Sequence, residues 1–551
     1  MVDDADFVSV PGSDRDPIDE AEPLERVASE EPIAVTLRLR RRSNAVTGRP
    51  DLAPSRDREV RARQRDDYAQ CLGADPADVE KVRRFADQRG LEVSHVDLLQ
   101  RSAELSGPAR RMEEAFRLEL TRYRLGNMEY RGRIGPVHVP RYLAGVVEGV
   151  FGLDDRPQAR TDTGHPTLLD AALLDPSADP VVGAVARPMW PNQIAALYNF
   201  PHEADGDGEI IAIIALAGGY VEADFEAYFS RIRADKVPSV VSVGVDGATN
   251  SPTGGGEDGE VYLDVEVAGA VAPGAEITVY FAPNTARGFI DAVSAAIFNG
   301  ERSPSVVCIS WGFPEQCWTG QAIKAFQELF EDAAALHVTV LASVGDHGAG
   351  DAAGDGAVHA RFPASSPWVL ACGGTRIGTI TQPLHEETWN DHDGWATGGG
   401  VSALFDVPSW QAQVADPTSI AANRRRGRGV PDIAGLAAQS CGYIVMGHGV
   451  YAALSGTSAV TPLYGGLVAR LNDALDRPVG HLAPLLYAIS KRDGERVFRD
   501  VTQGNNSVPS TASWGPAVEG YAAGVGWDPC TGLGSVDGTE LCRAVAAMLN
   551  S

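Results

Sequence analysis

No apolar run in this 551-residue chain approaches the ~18 residues needed for a membrane-spanning helix. The opening Met1-Val2-Asp3-Asp4-Ala5-Asp6 is acidic and leads into no apolar core, so a Sec-type leader is not expected. Basic residues are scarce, with 47 Lys and Arg against 74 Asp and Glu and a net charge of -27. That balance excludes the basic face a nucleic-acid binder needs. Residues 1–184 hold 34 acidic and 27 basic residues, leaving 40 and 20 for the rest, so the second part carries most of the excess. Such a surface suits a medium in which carboxyls are partly protonated and self-repulsion is relieved, although solubility alone explains it equally well. Cysteine is also sparse. The seven (Cys71, Cys308, Cys317, Cys372, Cys441, Cys530, Cys542) form no C-x-x-C and no zinc spacing. Their odd number excludes a complete set of intrachain disulfides, and mostly buried free thiols are expected.

What is present divides the chain into four. Residues 1–32 are acidic and punctuated by Pro, and a disordered lead is expected. From 33 to 151 strand and helix signals alternate. Ile33 to Arg40 alternates as a strand does, and Asp75-Pro76 starts a helix that Gly90 stops. Pro108 to Leu120 reads as a second helix and Tyr123 to Pro140 as a hairpin, giving an α+β domain. Residues 152–186 are rich in Asp, Pro, Thr and Ala with weak periodicity, and read as a linker. From 187 to 551, apolar strands (Ile210–Ile214, Ile277–Phe281, Val306–Ser310, Val338–Leu341) alternate with helices. That pattern predicts an α/β domain with a doubly wound, mostly parallel sheet. With 44% hydrophobic residues the chain can fill a large core.

The chemistry concentrates around Ser458. The stretch Gly456-Thr457-Ser458-Ala459-Val460-Thr461-Pro462 has the Gly-Thr-Ser-Ala-x-x-Pro pattern of subtilisin-like nucleophiles. A hydroxyl needs a neighbouring base to become a nucleophile. The apolar residues that follow predict a buried helix holding Ser458 at its N-terminus, although Ser and Thr also begin ordinary helices. No His-Gly-Thr base motif occurs. Where a His would stand, Glu260-Val261-Tyr262-Leu263-Asp264 puts two carboxyls at i and i+4 on one helical face. Glu260 is the candidate base and Asp264 its orienting partner; the plain alternative is a solvated acidic face, which the flanking Val, Leu and Ala disfavour. Val338 to Val344 reads as a buried strand ending at Gly345-Asp346. Asp346 could stabilise an oxyanion only when protonated, because a carboxylate has no proton to donate.

Together with Gly218-Gly219-Tyr220, Ile309-Ser310-Trp311-Gly312, Phe362-Pro363-Ala364, Cys372-Gly373-Gly374-Thr375 and Gly398 to Ser402, these stretches resemble the sedolisin family, the serine-carboxyl peptidases. The likeness runs from about residue 35 to 548. It implies a subtilisin-like catalytic domain behind a ferredoxin-like prodomain that inhibits in cis, with the linker reaching the active site. It implies Ser458 as nucleophile, Glu260 as base, Asp264 as its partner, Asp346 in the oxyanion hole and a supporting role for Trp311. It further implies one structural calcium held by Asp500 and Asp528 carboxylates with Val501, Gly524 and Gly526 carbonyls. Protein substrates, an acidic optimum, an extracellular workplace and a monomer complete the expectation. Three positions depart from the family. Ala215 stands where many members place a further Glu, which predicts a shorter proton network. His347 follows Asp346 where Ser is common, and a turn or surface role is expected for it. Arg361 replaces an Asp near the substrate subsites, which predicts weaker cleavage beside basic residues. A folded relative that has lost its chemistry is the alternative that Ala215 and His347 leave open.

Overall fold

The computed structural model describes residues 6–18, 20–42, 52–161, 166–169, 174–176, 180–232 and 236–549. In the N-terminal part, strands Glu92–Asp97, Ser102–Pro108, Pro32–Leu39 and Val147–Phe151 lie side by side in that order, every pair antiparallel. Numbered along the chain the order is second, third, first, fourth, with helices Pro76–Arg89 and Ala109–Phe116 packed on it, a ferredoxin-like arrangement. The Pro76–Arg89 helix begins where the sequence signals it: Asp75 accepts from Ala77 N–H, and Gly90 closes it at φ 64°. Helix Arg58–Leu72 went unread in the sequence because its Arg and Asp residues mask any apolar stripe.

Residues 6–18 and 20–32 correct the expectation of a disordered lead. Phe7–Ser9 pairs with His138–Pro140, and Glu22–Arg26 pairs with Thr121–Leu125. Val10 and Val27 are buried in the core of the N-terminal domain, and the Gly12 carbonyl accepts from Gln321 N–H of the C-terminal domain. A few well-spaced apolar side chains anchor this segment even though its composition is acidic.

The large sheet of the C-terminal domain runs in the order Ser239–Gly244, Glu276–Phe281, Ile210–Ala215, Val306–Ile309, Thr339–Ser343, Leu370–Arg376, with Ile433–Leu436 also paired to the last. All of these pairs are parallel, and only the short Glu387–Thr388 edge is antiparallel. Parallel strands read as unbroken apolar runs because both faces are covered. Ile211, Ile213 and Ala215 face the layer of helices Gly256–Val271 and Thr457–Ala474, whereas Ala212, Ile214 and Leu216 face helices Ala286–Phe298 and Gly320–Ala335. Each fully buried Ile contributes roughly 2 kcal/mol.

The prodomain sheet sits on the second helical layer. Thr36 Oγ1 donates to Asp291 Oδ2 at 2.7 Å, and the Gln321 side chain bonds both Val150 N–H and Val150 carbonyl. A denser cluster lies nearby. Arg101 reaches Glu328 at 2.7 Å, while Arg41 Nη2 and Tyr68 OH both bond Asp332 Oδ1, at 2.5 and 2.6 Å.

Candidate active site

The helix Gly256–Val271 is buried on nearly every side, so its acids cannot be a solvated face. Glu260 and Asp264 are each 1% exposed. The Ser310 hydroxyl, at the end of the central strand Val306–Ile309, donates to Asp264 Oδ1 at 2.8 Å and lies 3.4 Å from the Ser458 carbonyl. Burial first, then the charge of Glu260, pushes the Asp264 carboxyl well above its usual range, with the Ser310 bond opposing. Burial likewise raises Glu260; the Asp346 charge adds to it, while Thr161, Ser458 and Ser310 hydroxyls pull the other way. Among the described residues no aligned donor, Ser458 included, reaches Glu260 Oε1, so the Ser458–Glu260 pair is not a closed hydrogen bond. Resting catalytic hydrogen bonds are often this loose.

Ser458 stands in the first turn of the 18-residue helix Thr457–Ala474. The residue before that helix, Gly456, has φ 115°, a conformation that a side chain disfavours. Asp346, at the end of strand Thr339–Ser343 and its turn, holds the helix from below. Its Oδ1 accepts both Thr457 N–H, at 2.8 Å, and Thr457 Oγ1–H, at 2.7 Å. The four residues singled out by the sequence, from three separated segments, are brought to one place. Ser310 and Thr457 were not read as functional, although both stand inside the quoted motifs, one residue before Trp311 and one before Ser458.

The linker enters this site. Arg160 forms an isolated antiparallel bridge with Gly312, N–H to carbonyl at 3.1 and 3.3 Å in the two directions. The next hydroxyl, Thr161 Oγ1–H, donates directly to Glu260 Oε2. Further on, Thr167–Leu168 pairs antiparallel with Ala452 and Ala453. Arg361, 1% exposed, pairs with Asp351 at 2.9 Å and donates to the carbonyls of Arg160, at 2.7 Å, and Gly312, at 3.0 Å. Trp311 is buried, and its indole N–H has no acceptor among the described residues. Ala215 packs in the apolar layer on the catalytic-helix side of the sheet. His347 corrects the expectation of a surface role: it is buried between Trp395 and Trp514, with ring centroids 4.7 and 3.9 Å away.

Residues 20–156 match the family model described as Pro-kumamolisin, activation domain, and residues 247–484 match the Subtilase family. The chain is 46% identical over 486 residues to kumamolisin of Bacillus sp. (strain MN-32), which covers 88% of this chain and 85% of that protein. The chain belongs to the sedolisin family. It is a serine-carboxyl peptidase with its own activation domain. It is also 29% identical to sedolisin of Pseudomonas sp. (strain 101), across 84% of this chain and 78% of that one. A solved structure of Pseudomonas sedolisin complexed with pseudo-iodotyrostatin superposes with a TM-score of 0.57 at 28% identity, covering 66% of this chain and 99% of that chain.

The region expected to hold calcium gathers two carboxylates at one turn. Asp500 Oδ2 accepts from Gly526 N–H at 2.8 Å, and Asp528 Oδ2 from Gly524 N–H at 3.3 Å. Asp528 is buried, and the groups bonded to it are the Gly524, Cys530 and Thr531 amides and the Thr531 hydroxyl. Among the described residues no three acidic, His or Cys side chains gather, so backbone oxygens must supply most of any cation's ligands. All seven cysteines are free thiols, four of them buried, as expected.

Proposed function

We propose that this chain is an acid-acting serine-carboxyl endopeptidase made as a self-activating zymogen, cleaving proteins after its own linker is cut. The observation that carries the reading is the linker hydroxyl of Thr161 placed on the Glu260 carboxyl that also feels Ser458. A segment of the chain lies where a substrate must lie. In the reaction, the Ser458 hydroxyl oxygen attacks the peptide carbonyl carbon and Glu260 takes its proton. The tetrahedral oxyanion is held by protonated Asp346 and the backbone N–H of Ser458 at its helix N-terminus. Glu260 then gives the proton to the leaving amine as the C–N bond breaks. Water attacks the acyl carbon while Glu260 takes its proton; the acyl–Oγ bond of Ser458 then breaks, Glu260 returns the proton to Oγ, and the carboxylic acid product leaves. Asp264 and Ser310 position Glu260.

In the docked chain Glu260 is blocked twice: Thr161 occupies Oε2, and burial favours its neutral form. Release of the linker hydrates the carboxyl and returns it toward its ordinary range. The need for a protonated Asp346 keeps the optimum acidic. One calcium at Asp500 and Asp528, with carbonyls of Val501, Gly524 and Gly526, would tie the C-terminal loop to the sheet. The expected assembly is a monomer. Among the described residues no helix is long and apolar enough to cross a membrane.

The test is an acid shift of the full-length chain from neutral to about pH 4, with Ser458→Ala in parallel. Wild type alone is expected to lose its prodomain, as read by intact-mass spectrometry, and then to digest a denatured protein. If both chains stay whole, the reading is wrong and the chain is an inactive relative.

A further inference from the structure

The segment between Asp500 and Gly524 forms a hairpin of its own. Asn505 bridges Ala522, Val508 bridges Val518, and Thr511 bridges Gly515 at the tip. Its base is fixed to the turn after Asp346, where Ala349 N–H donates to the Asn506 carbonyl at 2.9 Å. Its tip carries Trp514 onto His347 and into edge contact with Trp395. The hairpin therefore contributes to the substrate cleft as well as joining the two carboxylates of the calcium turn.

Arg160 shows what this wall receives. Its guanidinium carbon lies 4.5 Å from the centre of the Phe313 ring and 5.8 Å from that of Trp514. Its Nη2 donates to the Ala352 carbonyl at 3.0 Å and lies 3.5 Å from the Asp351 carbonyl. Two aromatic faces and two carbonyl dipoles all favour a cation, and a planar guanidinium uses them better than an ammonium does. Arg361 is not opposed to this arrangement. Its charge is paired with Asp351, and it binds the Arg160 backbone carbonyl, leaving the side chain to the aromatic wall.

We infer that the cleft has a subsite built for an arginine side chain, walled by Phe313 and Trp514 and capped by the Asp351 and Ala352 carbonyls. Arg361 positions the backbone of the same residue. Substrates with Arg at the position that pairs with Gly312 are preferred over Lys, and Lys over Glu. This reverses the effect expected of Arg361 from the sequence. The inference rests on the peptidase reading above.

The test uses acid-activated enzyme and peptides varied only at that position. Wild type is expected to cleave the Arg peptide with a kcat/KM about 5- to 30-fold above the Ala peptide. Trp514→Ala should abolish most of that preference, read as the ratio of kcat/KM for the Arg peptide to that for the Ala peptide, and Trp514→Phe should restore it. Turnover of the Ala peptide with no preference for Arg overturns the subsite and leaves the peptidase reading standing. A second measurement is independent of turnover. In the full-length Ser458→Ala chain, Arg160→Ala and Trp514→Ala should each speed cutting of the linker by an added broad neutral protease. Unchanged cutting in both variants overturns the inference even if the chain proves inactive.

Discussion

Glu266 lies on the same buried helix as Glu260 and Asp264 and takes no part in the proposed chemistry. It is 0% exposed, and its Oε2 accepts Met446 N–H at 2.7 Å, while Oε1 has no partner among the described residues. The titratable groups that face it are Asp224, Tyr228 and Tyr451, and none is basic. Burial first pushes its carboxyl well above the usual range; the Met446 bond opposes this and the Asp224 charge adds to it. A folded pKa raised in this way means that the native state binds the proton more tightly than the unfolded chain. The stabilisation is fully present below the unfolded value of about 4.3 and is lost as pH rises toward the folded value. Each pH unit in that window costs up to about 1.4 kcal/mol through this one group. Glu266→Gln keeps the acceptor for Met446 N–H and cannot ionise. Near pH 4.5 it should match wild type within about 1 kcal/mol. Near pH 6.5 it should be the more stable of the two by on the order of 1 kcal/mol or more. The assay is urea denaturation followed by tryptophan fluorescence across pH, in the full-length Ser458→Ala background to prevent autolysis. Curves for Glu and Gln that run parallel from acid to neutral would refute the assignment of a neutral buried carboxyl here.

Two further outcomes are expected. For Glu328, burial alone would raise the carboxyl, but the Arg101 charge and the Lys324 and Arg101 bonds outweigh it and bring it to about 2. Its stabilisation of the docked prodomain is therefore present above the unfolded pKa and is lost only as pH falls toward 2, so mild acid does not break it. Glu328→Gln should advance the onset of processing to higher pH by about one unit; an unchanged processing profile would show that this ion pair does not hold the prodomain. For the calcium turn, a chelator should lower the melting temperature of wild type by several degrees and leave Asp528→Asn, already destabilised, unmoved. Melting of wild type that is indifferent to chelator and to added calcium would remove the metal from this site.

The sequence by itself determined the scaffold. Unbroken apolar strands such as Ile210–Ala215 can only be covered on both faces, and the Asp75 and Gly90 signals bound a helix whatever surrounds it. It also singled out the candidate side chains, because Glu260 and Asp264 share a helical face by spacing alone and Ser458 stands at the start of an apolar helix. Tertiary structure decided everything that depends on segments far apart in the chain. Ser310 acquires its place because Asp264, 46 positions away, folds onto the strand end beside it. The hairpin between Asp500 and Gly524 acquires its place only when the fold docks its tip on His347. His347 reads as a turn residue until two Trp rings from elsewhere enclose it. Arg361 reads as a repulsive charge until Asp351 neutralises it and the Arg160 carbonyl takes its hydrogen bond. Residue type and local periodicity fix propensity and spacing, but the sign of an electrostatic contact and the walls of a cleft are set by whichever neighbours the packed chain brings within a few ångströms.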